Sequence, residues 1–201
     1  DDDEYEEKKL SKSCNYGHHL QEEMATAWDL MKISKTIEGT KEELKEYIHN
    51  GLVDLVLHEV GHTLGLRHNF KASSIYSIEQ LSDINFTNKN GISGSVMDYQ
   101  PINIFDGQNF FQTKPGIYDF WAIEYAYKQS NGNELSEEKL LNKIASKSTD
   151  PLLRYGTDED TYGLSTRGID PHSNAWDLTD DPIKYYEKIF ELSHALWDSI
   201  P

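Results

Sequence analysis

Apolar residues recur at helical rather than strand spacing along most of this chain. Leu20, Met24, Trp28 and Met31 fall three or four positions apart, which predicts an amphipathic helix. Leu44, Ile48, Leu52, Leu55 and Val56 repeat the pattern behind Thr40-Lys-Glu-Glu43, a capping box, so a second helix is predicted from residue 41 to about residue 64. Its apolar stripe reads as core, and the first helix is expected to pack against it. Asn50-Gly51 is a turn signal inside that span and leaves a kink or a break open. Residues 66 to 95 carry no sustained period and read as a long loop with a short helical turn near Ile78 to Leu81, forming a wall of a cleft. Ile117 to Lys128, after the turn Pro115-Gly116, is predicted as a helix whose aromatics, Trp121 and Tyr125, enter the core. Ser136 to Ser146 is predicted as another, with Glu137 and Glu138 where the helix dipole favours acids. Ser148-Thr-Asp-Pro151 breaks it, and Thr179-Asp-Asp-Pro182 opens a C-terminal helix with proline in its first turn. The roughly forty residues before the second helix are poor in β-branched runs. The pattern predicts a mainly α chain, α+β at most, without internal repeats.

Chemistry enters at the end of the second helix, in His58-Glu-Val-Gly-His-Thr-Leu-Gly-Leu-Arg-His68. Histidines at i and i+4 lie about 40° apart around a helix and roughly 6 Å along it, so His58 and His62 can face one ion. Ten residues of unbroken helix would carry His68 about 15 Å past His58, so the helix must stop. Gly65 stands where a left-handed residue would end it and let the chain double back. Three neutral imidazoles at about 2.0–2.1 Å would leave a fourth tetrahedral position for water, the open coordination of catalytic zinc. Glu59 is then the expected proton acceptor for that water.

The long zinc motif is followed, after the turn-rich Asn88 to Gly94, by Ser95-Val-Met-Asp-Tyr99. The two together resemble the metzincin family of zinc endopeptidases. The resemblance implies that Met97 lies beneath the histidines as an apolar floor. It also implies that Tyr99 resembles the tyrosine that the astacin and serralysin branches place beside the metal, as a displaceable ligand and oxyanion donor. His58 to Ser74, Met97-Asp-Tyr99, Tyr118-Asp-Phe-Trp-Ala-Ile-Glu-Tyr125 and Asp177-Leu-Thr-Asp-Asp-Pro182 look closer still to the bacterial Met-zincin domain of large exported or envelope-associated metalloproteases. Over residues 40 to 201 a metzincin-like catalytic domain is therefore expected, preceded over residues 1 to 39 by an acidic segment and a packing helix. Metzincins place a twisted sheet before the zinc helix, whose edge strand pairs with substrate. That sheet is expected to be largely missing here. Asp1 is not a natural start, so a longer parent is expected, and the family likeness implies export or envelope association for it.

Composition changes this picture little. With 35 acidic and 19 basic residues among 201, the net charge of −16 disfavours nucleic acid and anionic membrane surfaces as partners. No apolar run approaches the roughly twenty residues of a membrane span. Cys14, the single cysteine, excludes an internal disulfide and is not expected to form a cysteine zinc site. Asp1 to Lys9 reads as a solvated charge run, Asp158-Glu-Asp160 as exposed acids rather than a calcium loop, and Arg67 as a candidate to orient its loop by pairing with a carboxylate. His18, His19, His49, His172 and His194 lack ligand-spaced partners. The chain is thus expected to be a zinc-dependent endopeptidase acting on protein or peptide. The alternatives are a zinc amidohydrolase acting on a non-peptide bond, or a catalytically incomplete, zinc-stabilised binding module.

Overall fold

Helix α1 (Tyr16–Ile33) lies against a longer helix, α2 (Lys41–Thr63), and the two frame the site. In the computed structural model, residues 14–105, 109–130, 134–162 and 170–198 are described, and among them the regular elements are α-helices and short 3-10 turns, with no strand. The mainly α class follows. The remaining elements are α3 (Ile78–Ser82), α4 (Ile84–Asn90), α5 (Ile117–Tyr127), α6 (Glu134–Ala145), α7 (Asp158–Thr161) and α8 (Pro182–Asp198). None is long and apolar enough to cross a membrane. The charge run Asp1 to Lys9 lies outside the described residues.

The start of α2 is built as its sequence dictates. Thr40 Oγ1 accepts the Glu43 N–H at 3.2 Å while the Glu43 carboxylate accepts the Thr40 N–H at 2.8 Å, satisfying two otherwise orphaned donors. Asn50-Gly51 neither kinks nor breaks the helix. Gly51 is buried instead as a slot: a Cβ there would sit 2.6 Å from Met24 Cε of α1 and 3.2 Å from the Phe111 ring. Tyr47, one turn earlier, donates its hydroxyl to the Met24 carbonyl at 3.0 Å, which fixes the crossing of the two helices.

The apolar stripe of α2 is not core, contrary to expectation. Leu44, Ile48, Leu52 and Val56 are exposed, the last two by 55% and 58%, and only Leu55 turns partly inward against α1. The buried seam is Tyr47, Gly51, Asp54, His58 and Gly61, spaced by four and three residues. That seam faces α1 and the buried 91–103 segment, so the polar and small residues are the interior ones. Likewise Tyr125 on α5 is 46% exposed, while Trp121 is partly buried and donates its indole N–H to the Ile144 carbonyl at 2.8 Å.

Two apolar clusters support this arrangement. The first gathers Tyr16, Leu20, Ala27 and Met31 of α1 with Tyr47, Phe70, Tyr99, Ile102 and Phe111. The second joins Tyr76, Leu81, Ile92, Leu178 and Tyr185, seating α8 over the 76–92 region. Each such buried side chain contributes about 1.5–3 kcal/mol. Helix α4, inside the stretch expected to be loop, starts at Asp83, whose side chain accepts the Asn85 N–H at 2.8 Å, and ends at Gly91 with φ 80°.

Residues 91–103 are buried without regular structure, so their backbone groups need other partners. Gln112 Oε1 accepts from Ile92 N and Ser93 N at 2.7 and 3.0 Å, and Asp119, at the start of α5, accepts from Val96 N and Gly116 N at 2.9 and 2.7 Å. Asp98 Oδ2 accepts the Ser73 N–H at 2.7 Å, and Ser73 Oγ donates to Asp177 at 2.9 Å. These side chains hold the segment beneath α2.

Candidate metal centre

The three histidines of the α2 motif meet because the helix ends where the glycine is. Gly65 adopts φ 86°, the Leu66 N–H donates to the Gly61 carbonyl at 3.1 Å, and the Gly65 N–H to the His62 carbonyl at 3.0 Å. This is a Schellman closure, and it turns the chain back so that His68 returns to the level of its partners. Ring centroids lie 4.9 Å apart for His58 and His62, 5.4 Å for His58 and His68, and 4.8 Å for His62 and His68.

Each ring is oriented by its far nitrogen. His58 Nδ1 donates to the Val96 carbonyl at 2.7 Å and His62 Nδ1 to the Leu66 carbonyl at 3.0 Å. A carbonyl only accepts, so both protons sit on Nδ1 and both Nε2 atoms present lone pairs. His68 Nδ1 donates to Asp158 Oδ1 at 2.9 Å, a carboxylate supplied by α7 from ninety residues away. Such outer partners set ligand orientation and basicity. Arg67 pairs with carboxylates, as anticipated, here those of α7: its guanidinium meets Glu159 at 2.8 Å and Asp158 at 3.7 Å.

Burial pushes His58 down to about 3, with the Val96 carbonyl opposing and the neighbouring imidazoles adding to the shift, so this ring stays neutral. For His68 burial also works against protonation, but the hydrogen bond to Asp158, together with Cys14 and the Asp158 charge, outweighs it and holds the ring up at about 9. His62 Nε2 and His68 Nε2 are both buried without a hydrogen-bond partner among the described residues. Buried ring nitrogens without a partner are uncommon, and here they converge. Three imidazole nitrogens aimed at one point, the third giving up its proton when it binds, fit zinc better than the oxygen-preferring cations.

Met97 is fully buried with its sulfur packed on Gly61 of α2, and its carbonyl accepts the Asn69 N–H at 3.0 Å, tying it to the returning chain. Tyr99 is buried with its ring 5.5 Å from His58 and 4.7 Å from His68. Burial, with Cys14 adding, pushes its hydroxyl up, so it stays protonated and able to donate. Glu59 is exposed, turned about 100° around α2 from His58, beside the solvent-facing Val56 and Val60.

Cys14, not expected at a zinc site, stands among the candidate ligands. Its Sγ lies 3.4 Å from His58 Nε2 and 3.3 Å from Tyr99 Oη, and the donor atoms of Cys14, His58, His62 and His68 all fall within 4.8 Å of one another. A lone cysteine forty-four residues before the motif carries no spacing signal. Asp158 and Asp119 went unrecognised for the same reason, although Asp119 stands within the Tyr118 to Tyr125 segment that the family likeness singled out.

The family model described as Met-zincin matches residues 40–201. No curated protein and no solved structure matches the chain.

Proposed function

This chain belongs to the Met-zincin family, and on that premise we propose that it is a zinc-dependent endopeptidase hydrolysing peptide bonds. The convergence of three imidazole rings, each fixed by an Nδ1 hydrogen bond that leaves its Nε2 facing the others, is the observation that carries the proposal. His58, His62 and His68 would hold the ion. Zinc bound there supplies the acidity of a coordinated water and the polarisation of a scissile carbonyl.

The chain's own groups do the rest. Glu59 takes a proton from the attacking water on a carboxylate oxygen and returns it to the leaving amide nitrogen. The Tyr99 hydroxyl, kept protonated by burial, donates to the oxygen that gains charge as the carbonyl becomes tetrahedral. Met97 and Gly61 hold the floor rigid, and Asp158 keeps His68 in register. A peptide is favoured as substrate over a small amide because Glu59 opens onto a long solvent-facing flank of α2, running from Leu44 to Val60, rather than into an enclosed pocket.

The test is a comparison of the wild-type chain with Glu59→Gln on casein and on small amides. The variant is expected to keep about one zinc per chain and to lose turnover on casein by a factor on the order of a hundred or more. Equal proteolysis by the variant would remove Glu59 from its role, and cleavage of small amides alone would replace the endopeptidase reading.

A further inference from the structure

The contact between α1 and the histidine cluster goes further than packing. Residues 14–16 lie directly over the metal-facing side of the triad. The Asn15 N–H donates to Tyr99 Oη at 3.1 Å, and Tyr16, with no exposed surface, stacks on His58 at 4.5 Å, on Tyr99 at 5.2 Å and on Trp176 at 5.8 Å. These contacts fix the start of α1 immediately after Cys14, whose sulfur lies among the ligand atoms of the three imidazoles.

The distances have the scale of a coordination shell. In a tetrahedral site with one sulfur arm of about 2.3 Å and one nitrogen arm of about 2.05 Å, the sulfur–nitrogen edge is about 3.6 Å. Cys14 Sγ stands 3.4 Å from His58 Nε2. The buried, partnerless Nε2 atoms of His62 and His68 independently mark the centre of that tetrahedron. A thiol that merely filled space beside Tyr99 would not need to lie on the imidazole side.

We infer that Cys14 is the fourth ligand of the metal held by His58, His62 and His68, so that the start of α1 closes the centre into a latent state. This rests on the zinc reading above and adds its regulation. On closure the Cys14 S–H bond breaks, its proton passes to solvent, a sulfur–metal bond forms and the coordinated water leaves as H₂O. Opening is the reverse: the sulfur–metal bond breaks, the thiolate takes a proton, and water returns. Closure also engages the Tyr99 hydroxyl, which accepts from the Asn15 N–H and meets Cys14 Sγ with its own hydrogen, so the water site and the oxyanion donor are removed together. Coordination by three histidines and a cysteine is the closed arrangement of structural zinc, whereas the open one needs a water position.

The test is cobalt substitution of the metal-stripped chain, with Cys14→Ser alongside. Wild type is expected to bind one Co²⁺ and to show a near-ultraviolet thiolate-to-cobalt charge-transfer band. Its thiol should react with a disulfide reagent at a rate lowered about tenfold or more by the metal. Cys14→Ser is expected to keep one Co²⁺, to lose the band, and to cleave casein faster by a factor on the order of ten. One cobalt per wild-type chain with neither band nor thiol protection would overturn the inference while leaving the metal centre standing. Failure of wild type to bind cobalt would overturn both. Because the band and the thiol protection are read on wild type, a variant that does not fold leaves the answer intact.

Discussion

Met97 Sδ occupies the space where a Cβ on Gly61 would fall, so the 91–103 segment and α2 touch sulfur to backbone one residue from His62. A methyl group at position 61 would force the buried Met97 away from α2. Gly61→Ala is therefore expected to lower stability by about 1–3 kcal/mol, the usual cost of overpacking, read as a shift in the urea midpoint. Met97→Leu keeps the volume and should cost less than about 1.5 kcal/mol. Equal, small losses in both variants would mean that the close approach is unimportant.

His68 depends on Asp158 for both its orientation and its basicity. Asp158→Asn should lower zinc affinity on the order of 10- to 100-fold, as loss of an outer-shell carboxylate does. Competition against a chromophoric chelator measures it directly. The exposed Arg67–Glu159 pair contributes at most about 1 kcal/mol, so Arg67→Ala should move affinity far less. An unchanged affinity in Asp158→Asn would remove that carboxylate from the centre.

Gly65 meets nothing within 4 Å at the position of a Cβ, so the objection to a side chain there is conformational alone. At φ 86°, Gly65→Ala should cost about 1–2 kcal/mol. Because the reversal also delivers His68, weaker zinc binding should accompany the stability loss. A variant that lost stability but bound zinc as tightly as wild type would show that the turn can be rebuilt another way.

Asp54 sits on the same buried seam as His58, with Oδ2 accepting the Gln112 N–H at 3.2 Å and Oδ1 without a partner among the described residues. Burial raises its carboxyl from 3.8 to about 7, against the opposing hydrogen bond from Gln112. A folded-state value above the unfolded one means that the folded chain holds the proton longer. Its contribution to stability is complete below about pH 4 and is lost as pH rises through about 7, a change on the order of 4 kcal/mol. Asp54→Asn keeps an acceptor for Gln112 and cannot ionise. In metal-free protein the variant should therefore gain on wild type between pH 4 and 8, as urea denaturation at the two ends would reveal. A difference between the two chains that does not change with pH would rule out a buried proton on Asp54.

The features legible in the sequence were those carried by neighbours along the chain. Thr40 and Glu43 cap α2 within a single turn, and Gly65 ends it at the one position where a left-handed residue returns His68. The stripe from Leu44 to Val56 was misleading because hydrophobic periodicity assumes that the inner face of a helix is the apolar one. Here the inner face is built of Tyr47, Gly51, Asp54, His58 and Gly61, chosen for close approach and chemistry. Cys14 and Asp158 were invisible for a different reason. They reach the centre from forty-four residues before His58 and ninety after His68, and no local pattern encodes such long-range meetings.

That last distance bears on when the ion can be held firmly during biosynthesis. A nascent chain that has emerged only as far as residue 150 already carries all three imidazoles, yet lacks the α7 carboxylate that steers the third. On the proposed function, tight loading would belong to the late stage of maturation, after the distal segment has docked and its carboxylate has oriented the third ring.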